Sequence, residues 1–292
     1  MKILLPNDSK NSIGGGWTFL RNLNKGGKKY FDITDCITGG GWDVCLIVSS
    51  SIINRATFQQ IKAFKKPTIL RVDGVPEDWR NRGTGWSRLR DFAKQATHII
   101  YQSEFTKNTV GRLVKRDGVV IMNGCDTSIF RSDGAKERPF GNPSILFVNW
   151  RDDPNKRTQE VIERFRQFKI DNPQATITFV GQYPKRQFFW NKTTWDFGLL
   201  DWYPGEDWQY IGGINDPVKM AKVMRSCNYI AYPSFADPCP NTLIEAINCG
   251  CKPLWTCDYG STPEILNYKK GWSLDRMVKE YYEYFKLAKG GE

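Results

Sequence analysis

Short, uninterrupted apolar runs recur along the chain with helix-length segments between them, and this alternation restricts the fold more than any other feature. Lys2-Ile-Leu-Leu5, Asp43-Val-Cys-Leu-Ile-Val48, Thr68-Ile-Leu-Arg-Val72 and His98-Ile-Ile-Tyr-Gln-Ser103 form one set. Ile145-Leu-Phe-Val-Asn149, Thr176-Ile-Thr-Phe-Val-Gly181, Asn228-Tyr-Ile-Ala-Tyr232 and residues 252–256 form a second. Most are apolar along their length, as strands buried on both faces are. Helices are expected at 17–23, 54–64, 104–114, up to Phe168, and at 218–226, 242–248 and 274–287. Strands alternating with helices predict a parallel, doubly wound α/β sheet, and such sheets bind ligands beyond the carboxyl ends of their strands. Between the two sets, residues 131–144 are polar and rich in glycine and proline, as an interdomain linker is. Two domains are therefore expected, 1–135 and 136–272, with a further helix over 273–292.

The densest chemistry lies between Tyr232 and Gly250, which reads as a strand end, a loop and a helix stopped by glycine. Pro238 and Pro240 remove two amide donors, so the N–H groups of Asn241, Thr242 and Leu243 gather at the helix start, a ready site for an anion. Two acids flank it, Asp237 and Glu245, with seven residues between them. Each can reach hydroxyls on either side of one bound phosphate, a geometry that suits a sugar nucleotide. Two plainer readings stand beside this one. Thr242-x-x-Glu245 is also a capping-box pattern that needs no ligand, and Asp237 before a proline is also an ordinary loop acid.

Asp237-Pro-Cys-Pro-Asn-Thr-Leu-Ile-Glu-Ala246, followed by Cys249-Gly-Cys-Lys-Pro253, resembles the E-x7-E region of retaining glycosyltransferases of the GT-B fold, in glycosyltransferase family 4. Aspartate replaces the commoner first glutamate and keeps the charge. The resemblance implies two Rossmann-like domains facing a central cleft. It also implies a donor-sugar contact for Asp237, ribose hydroxyls for Glu245 and the donor diphosphate for Asn241 and Thr242. The stretch Asn123-Gly-Cys-Asp-Thr-Ser-Ile-Phe130 is similar to the Asn-Gly-x-Asp-x-x-x-Phe segment that ends the first domain in that family, and the last helix is expected to cross back to the first domain.

Other positions take their meaning from the same edge of the sheets. Gly14, Gly15 and Gly16 follow the first strand and let a backbone approach a phosphate or sugar closely, although a triple glycine also serves as a plain turn. The family has a Gly-Gly loop there, which makes Gly15 and Gly16 candidates facing the donor. Arg71 and Asp73 lie at a strand end, where they would line the cleft; Asp73 stands where many relatives carry histidine, and a turn acid before Gly74 is its plainer reading. After the strand 145–149 the family places an arginine and a lysine on the diphosphate, and Arg151 and Lys156 match best.

With 292 residues, 40% hydrophobic and 14% aromatic, the chain is expected to be well packed. No apolar run approaches the ~20 residues that span a bilayer, and the N-terminal run is too short for a signal peptide, so a cytoplasmic protein is expected. Asn191-Lys192-Thr193 is then an unused glycosylation sequon. Eight cysteines without CxxC spacing are expected to be reduced thiols, several of them buried. The single histidine, His98, begins a strand and reads as structural, against a Ser-His-Asp triad. A formal charge of +11 favours anionic ligands and peripheral contact with the inner face of an anionic membrane. The basic segment Trp79–Arg90 is one candidate for such contact. Lys and Arg are dispersed and no nucleic-acid motif is present, so no nucleic acid is expected.

Residues 183–210 are strongly aromatic and periodic in neither sense, and read as an elaborated connection, one able to bind acceptor. The resemblance, taken with these features, implies a retaining, metal-independent hexosyltransferase of polysaccharide biosynthesis. It needs no cofactor beyond its donor substrate, a UDP-sugar ahead of GDP-mannose, and its acceptor is a glycan or lipid-linked molecule. The alternatives are a non-catalytic glycan- or polyanion-binding module of the same fold and a nucleotide-sugar epimerase.

Overall fold

A computed structural model describes residues 1–6, 15–75, 83–137, 141–149, 154–190, 193–198 and 207–290. The chain runs β1 (Lys2–Leu4), α1 (Gly15–Gly27), β2 (Asp32–Thr34), β3 (Val44–Ile47), α2 (Arg55–Ala63), β4 (Thr68–Val72), α3 (Gly83–Gln95), β5 (His98–Tyr101), α4 (Glu104–Thr106), α5 (Arg112–Val114) and β6 (Val119–Val120). It continues with β7 (Ser144–Asn149), α6 (Thr158–Asp171), β8 (Thr176–Gly181), β9 (Lys185–Trp190), β10 (Thr193–Gly198), β11 (Trp208–Ile211), α7 (Pro217–Arg225), β12 (Tyr229–Ala231), α8 (Asn241–Asn248), β13 (Lys252–Leu254), α9 (Thr262–Asn267) and α10 (Leu274–Gly290). Two units result. One comprises Met1–Asp126, Asp237–Asn241 and Gly260–Glu292, the other Thr127–Ala236 and Thr242–Tyr259.

The first unit is built on a six-stranded sheet, order β2-β1-β3-β4-β5-β6, with every pairing parallel. All of β3 and β4 is buried, because helices cover both faces of a parallel sheet. On one face α1 buries Phe19, Leu20 and Leu23 beside the stripe Leu274, Met277, Val278, Tyr281, Phe285 and Ala288 of α10. Phe19 meets Tyr281 at 5.2 Å and Phe31 meets Phe285 edge-on at 5.3 Å. A Cβ on Gly26 would lie 2.8 Å from Val278 Cγ2, so α1 approaches α10 closely only as glycine. On the other face Phe58 of α2 and Phe92 of α3 stack at 4.1 Å over Ile47 and Leu70.

The helix expected over 104–114 forms, with one irregular turn inside it. Between α4 and α5, residues Lys107–Gly111 widen into a π turn. Thr109 Oγ1 donates to the Phe105 carbonyl at 2.7 Å, competing for a group the regular ladder would use.

The second unit holds a five-stranded sheet, order β11-β8-β7-β12-β13, again wholly parallel. Ile145, Phe147, Ile177, Phe179 and Ala231 pack on Val161, Ile162 and Phe165 of α6. Asp216 caps α7 through the Val218 N–H at 2.8 Å, with Pro217 in the first turn. At the other end of α7, Arg225 donates to the carbonyls of Ala135 (2.6 Å) and Ile129 (3.0 Å) and ties residues 129–135 to the helix.

The aromatic segment 183–210 is a correction to the sequence reading. β9 and β10 form an antiparallel ladder, Trp190 opposite Thr193, and β11 adds to the sheet edge beside β8. Aromatic and β-branched residues suit the pleated surface, but so many in succession hide a period of two. All eight cysteines are free thiols and six are buried. Among the described residues no helix is long and apolar enough to cross a membrane.

Candidate functional site

In the first unit the candidates cluster at the carboxyl edge of the sheet. The reading of Gly15 and Gly16 as a loop before a helix at Trp17 is corrected: both lie in the first turn of α1. A Cβ on Gly16 would sit 3.2 Å from Asp73 Oδ2, whereas a Cβ on Gly15 would meet no protein atom within 4 Å. The Gly15 carbonyl accepts from Asn241 Nδ2 at 3.4 Å. Asp73 follows β4, accepts a hydrogen bond from Ser49 and lies in the field of Arg71, yet burial outweighs both and pushes its carboxyl above the ordinary value. Gly15, Gly16, Asp73 and Asn241 are thus brought together.

Arg71 does not line a cleft. It is fully buried, with its guanidinium 3.8 Å from the Phe19 ring centre and its Nη2 donating to Gln102 Oε1 at 2.6 Å and to Asn123 Oδ1 at 3.0 Å. A charge at a strand end reads as exposed until its partners, 31 and 52 residues away, are known. Asn123, read from sequence as the start of the segment that ends the first domain, donates through Nδ2 to Cys239 O and to Asn241 Oδ1, both at 2.9 Å.

Asp237 is partly buried, and its carbonyl accepts the Ser261 N–H at 3.0 Å. Before it, Ala236 takes φ 55°, a left-handed conformation that non-glycine residues hold only where the surroundings enforce it. Cys239, beside it, is buried and its thiol is pushed up to about 12 by desolvation. Glu264 was missed as an anchor. Its carboxylate accepts the N–H groups of Glu104 (2.8 Å) and Phe105 (2.6 Å), capping α4, with its pKa raised by burial. His98 lies at the amino end of β5, edge-on to Tyr284 at 5.8 Å, with burial and Arg116 lowering its pKa.

In the second unit, Lys156 donates to the Tyr232 hydroxyl at 3.5 Å, just past β12. Arg157, at φ 51°, sets its guanidinium 5.1 Å from the Phe235 ring, which stacks on Tyr259 at 4.5 Å. Arg151 lies outside the described residues, as do residues 79–82 of the basic segment and Asn191 of the sequon. Thr242 and Glu245 lie inside α8, whose first residue is Asn241. The capping-box register is therefore not met, since Pro240 and not Thr242 precedes the helix. A depression of about 810 Å³ lined by Arg225, Asn228 and Lys252 opens at the amino ends of β12 and β13 and contains none of the candidates. Among the described residues no three His, Cys, Asp or Glu side chains are grouped to hold a metal ion.

No curated protein sequence matches the chain. Among solved structures, HepE of Anabaena, crystallised with UDP and glucose, is similar with a TM-score of 0.66 and 15% identity, over 97% of this chain and 89% of that one. The sucrose-phosphate synthase of Thermosynechococcus elongatus is similar at 0.57 and 14%, over 87% of this chain and 72% of that one. The pneumococcal O-GlcNAc transferase GtfA, solved with UDP and GlcNAc, is similar at 0.57 and 12%, over 85% of this chain and 53% of that one. At such identities the likeness is one of fold, the GT-B fold expected from the sequence, built on two Rossmann-like units. Residues 130–286, more than half of the chain, match the family described as glycosyl transferases group 1, and to that family the chain belongs.

Proposed function

We propose that the protein is a retaining, metal-independent hexosyltransferase of glycosyltransferase family 4. It uses a nucleotide sugar, a UDP-sugar ahead of GDP-mannose, and a glycan or lipid-linked acceptor. The observation that carries this reading is the segment from Ala236 to Glu245. A strained residue delivers Asp237, two prolines strip the loop of donors, and α8 opens with free amides followed by a glutamate one turn on. Support also comes from UDP bound in the fold relatives HepE and GtfA.

In this reading Glu245 takes the ribose hydroxyls and Asp237 the donor-sugar hydroxyls, while Arg151, Lys156 and the amides from Asn241 and Thr242 meet the diphosphate. The backbone of Gly15 and Gly16 faces the donor, and Asp73 orients the transferred sugar. The bond from the anomeric carbon to the phosphate oxygen breaks as one to the acceptor oxygen forms on the same face. The acceptor proton passes to the departing phosphate. Positioned donors stabilise the growing phosphate charge by ~2–4 kcal/mol each. Residues 1–135 serve the acceptor and 136–272 the nucleotide sugar. The charge of +11 favours an anionic acceptor or the inner membrane face.

The test is thermal unfolding with UDP, GDP, ADP and CMP in EDTA, for the wild type and Glu245→Gln. Ligand at 100 times its dissociation constant adds about 2.7 kcal/mol, several degrees. A shift with one nucleotide that Glu245→Gln abolishes is expected, and anomeric NMR of the product then reports retention. No shift with any nucleotide would favour a non-catalytic glycan-binding module instead.

A further inference from the structure

The geometry points to Asn123 as a positioning residue that holds Asn241 and the first turn of α1 in register for the donor diphosphate. This rests on the proposed function, and it assigns to a buried amide a task that the acids and lysines cannot perform. Asn123 is 2% exposed and both ends of its amide are used. Its Oδ1 accepts from Arg71 Nη2 at 3.0 Å, while its Nδ2 donates to Asn241 Oδ1 and Cys239 O at 2.9 Å and lies 3.2 Å from Gln102 Oε1. Gln102 is fixed in turn, with Nε2 donating to Val72 O at 3.0 Å and Oε1 accepting from Arg71 at 2.6 Å.

The orientation of each group follows from the one before it. Arginine has donors only, so Asn123 must turn its oxygen to Arg71 and its nitrogen to Asn241. Asn241 must then turn its oxygen inward and its nitrogen toward Gly15, whose carbonyl accepts at 3.4 Å. The buried cation thereby orders a directed chain, Arg71 to Asn123 to Asn241 to the Gly15 carbonyl, in which each amide polarises the next. The chain joins the first residue of α8 to the first residue of α1. The first turn of α1 presents free N–H groups, and the side chain of Asn241 is occupied by the link, which leaves its backbone amide for an anion. Asn123 is anchored on the main chain as well, its carbonyl accepting from Arg276 Nη2 at 2.7 Å.

Asn123→Asp keeps the acceptor for Arg71 but offers a second oxygen to Asn241 Oδ1 and Cys239 O, which breaks the chain at that link. Asn241→Ala breaks it one step later, at a partly exposed site where folding is not at stake. Nucleotide binding by calorimetry, donor KM and kcat, and unliganded Tm would be measured for the wild type, both single variants and the double variant. The expected result is a rise in nucleotide Kd and donor KM of about tenfold in either single variant, with kcat within about threefold. The double variant is expected to be no worse than the singles, since both remove one connection. Asn241→Ala should keep the wild-type unliganded Tm. Additive losses in the double variant, or unchanged Kd in Asn241→Ala, would overturn the inference while leaving the proposed function standing. A wild type that binds none of the four nucleotides would overturn both.

Discussion

The α position of Gly16 faces the carboxylate of Asp73 so closely that an added methyl carbon would lie 3.2 Å from Oδ2. Alanine is the better helix former by roughly 1 kcal/mol, so Gly16→Ala should leave Tm within a few degrees of the wild type while displacing Asp73. A fall in transferase kcat/KM of about tenfold is expected, measured at subsaturating donor. In Gly15→Ala the new methyl meets no protein atom within 4 Å. Any loss of donor affinity there, read by calorimetry, reports the ligand itself.

Asp73 pays for its position in stability. Burial raises its folded pKa above the ordinary 3.8 despite Arg71 and Ser49, so the folded state binds the proton more tightly than the unfolded chain does. The penalty is absent below the unfolded value and grows as pH rises through the folded one. Asp73→Asn should therefore melt higher than the wild type at pH 7.5, with the advantage shrinking toward pH 4. Equal melting temperatures at both pH values would contradict this.

Asp237→Ala is expected to lower kcat by about 10²–10³, the range for loss of one positioned charge at a reacting centre, with Tm nearly unchanged because the loop is held by the Ser261 N–H on the Asp237 carbonyl, a main-chain bond. Steady-state kinetics and calorimetry on the same preparation separate the two. A large fall in Tm would make this acid structural.

Glu264→Gln removes one of the two acceptors that cap α4 and turns a donor toward an amide. A loss of about 1–2 kcal/mol is expected, or a few degrees for a chain of this size. Hydrogen exchange at the amides of Glu104 and Phe105 should accelerate.

The central strands of the two sheets and the Asp237–Glu245 segment were legible because their signals are local: apolar runs, prolines, a glycine stop. The start of α8 was misread by one residue, since Thr242 and Glu245 carry a capping spacing that Pro240 pre-empts. Arg71, Asn123 and Glu264 were not legible in their roles. Asn123 bonds to a residue 118 positions away and Glu264 to amides 159 and 160 positions away, and no window on the sequence joins them. The strands within 183–210 escaped for the opposite reason, an excess of β-forming aromatics without alternation.

The stripe on α10 has a consequence for biosynthesis. Phe19, Phe31 and the inner face of β1 and β3 are covered by side chains that the ribosome adds some 250 residues later. Long-range closure of this kind is slow, whereas the sheet of the second unit is complete once Leu254 has emerged. The part of the sheet that is made first thus receives its cover last, when Leu274–Gly290 arrives.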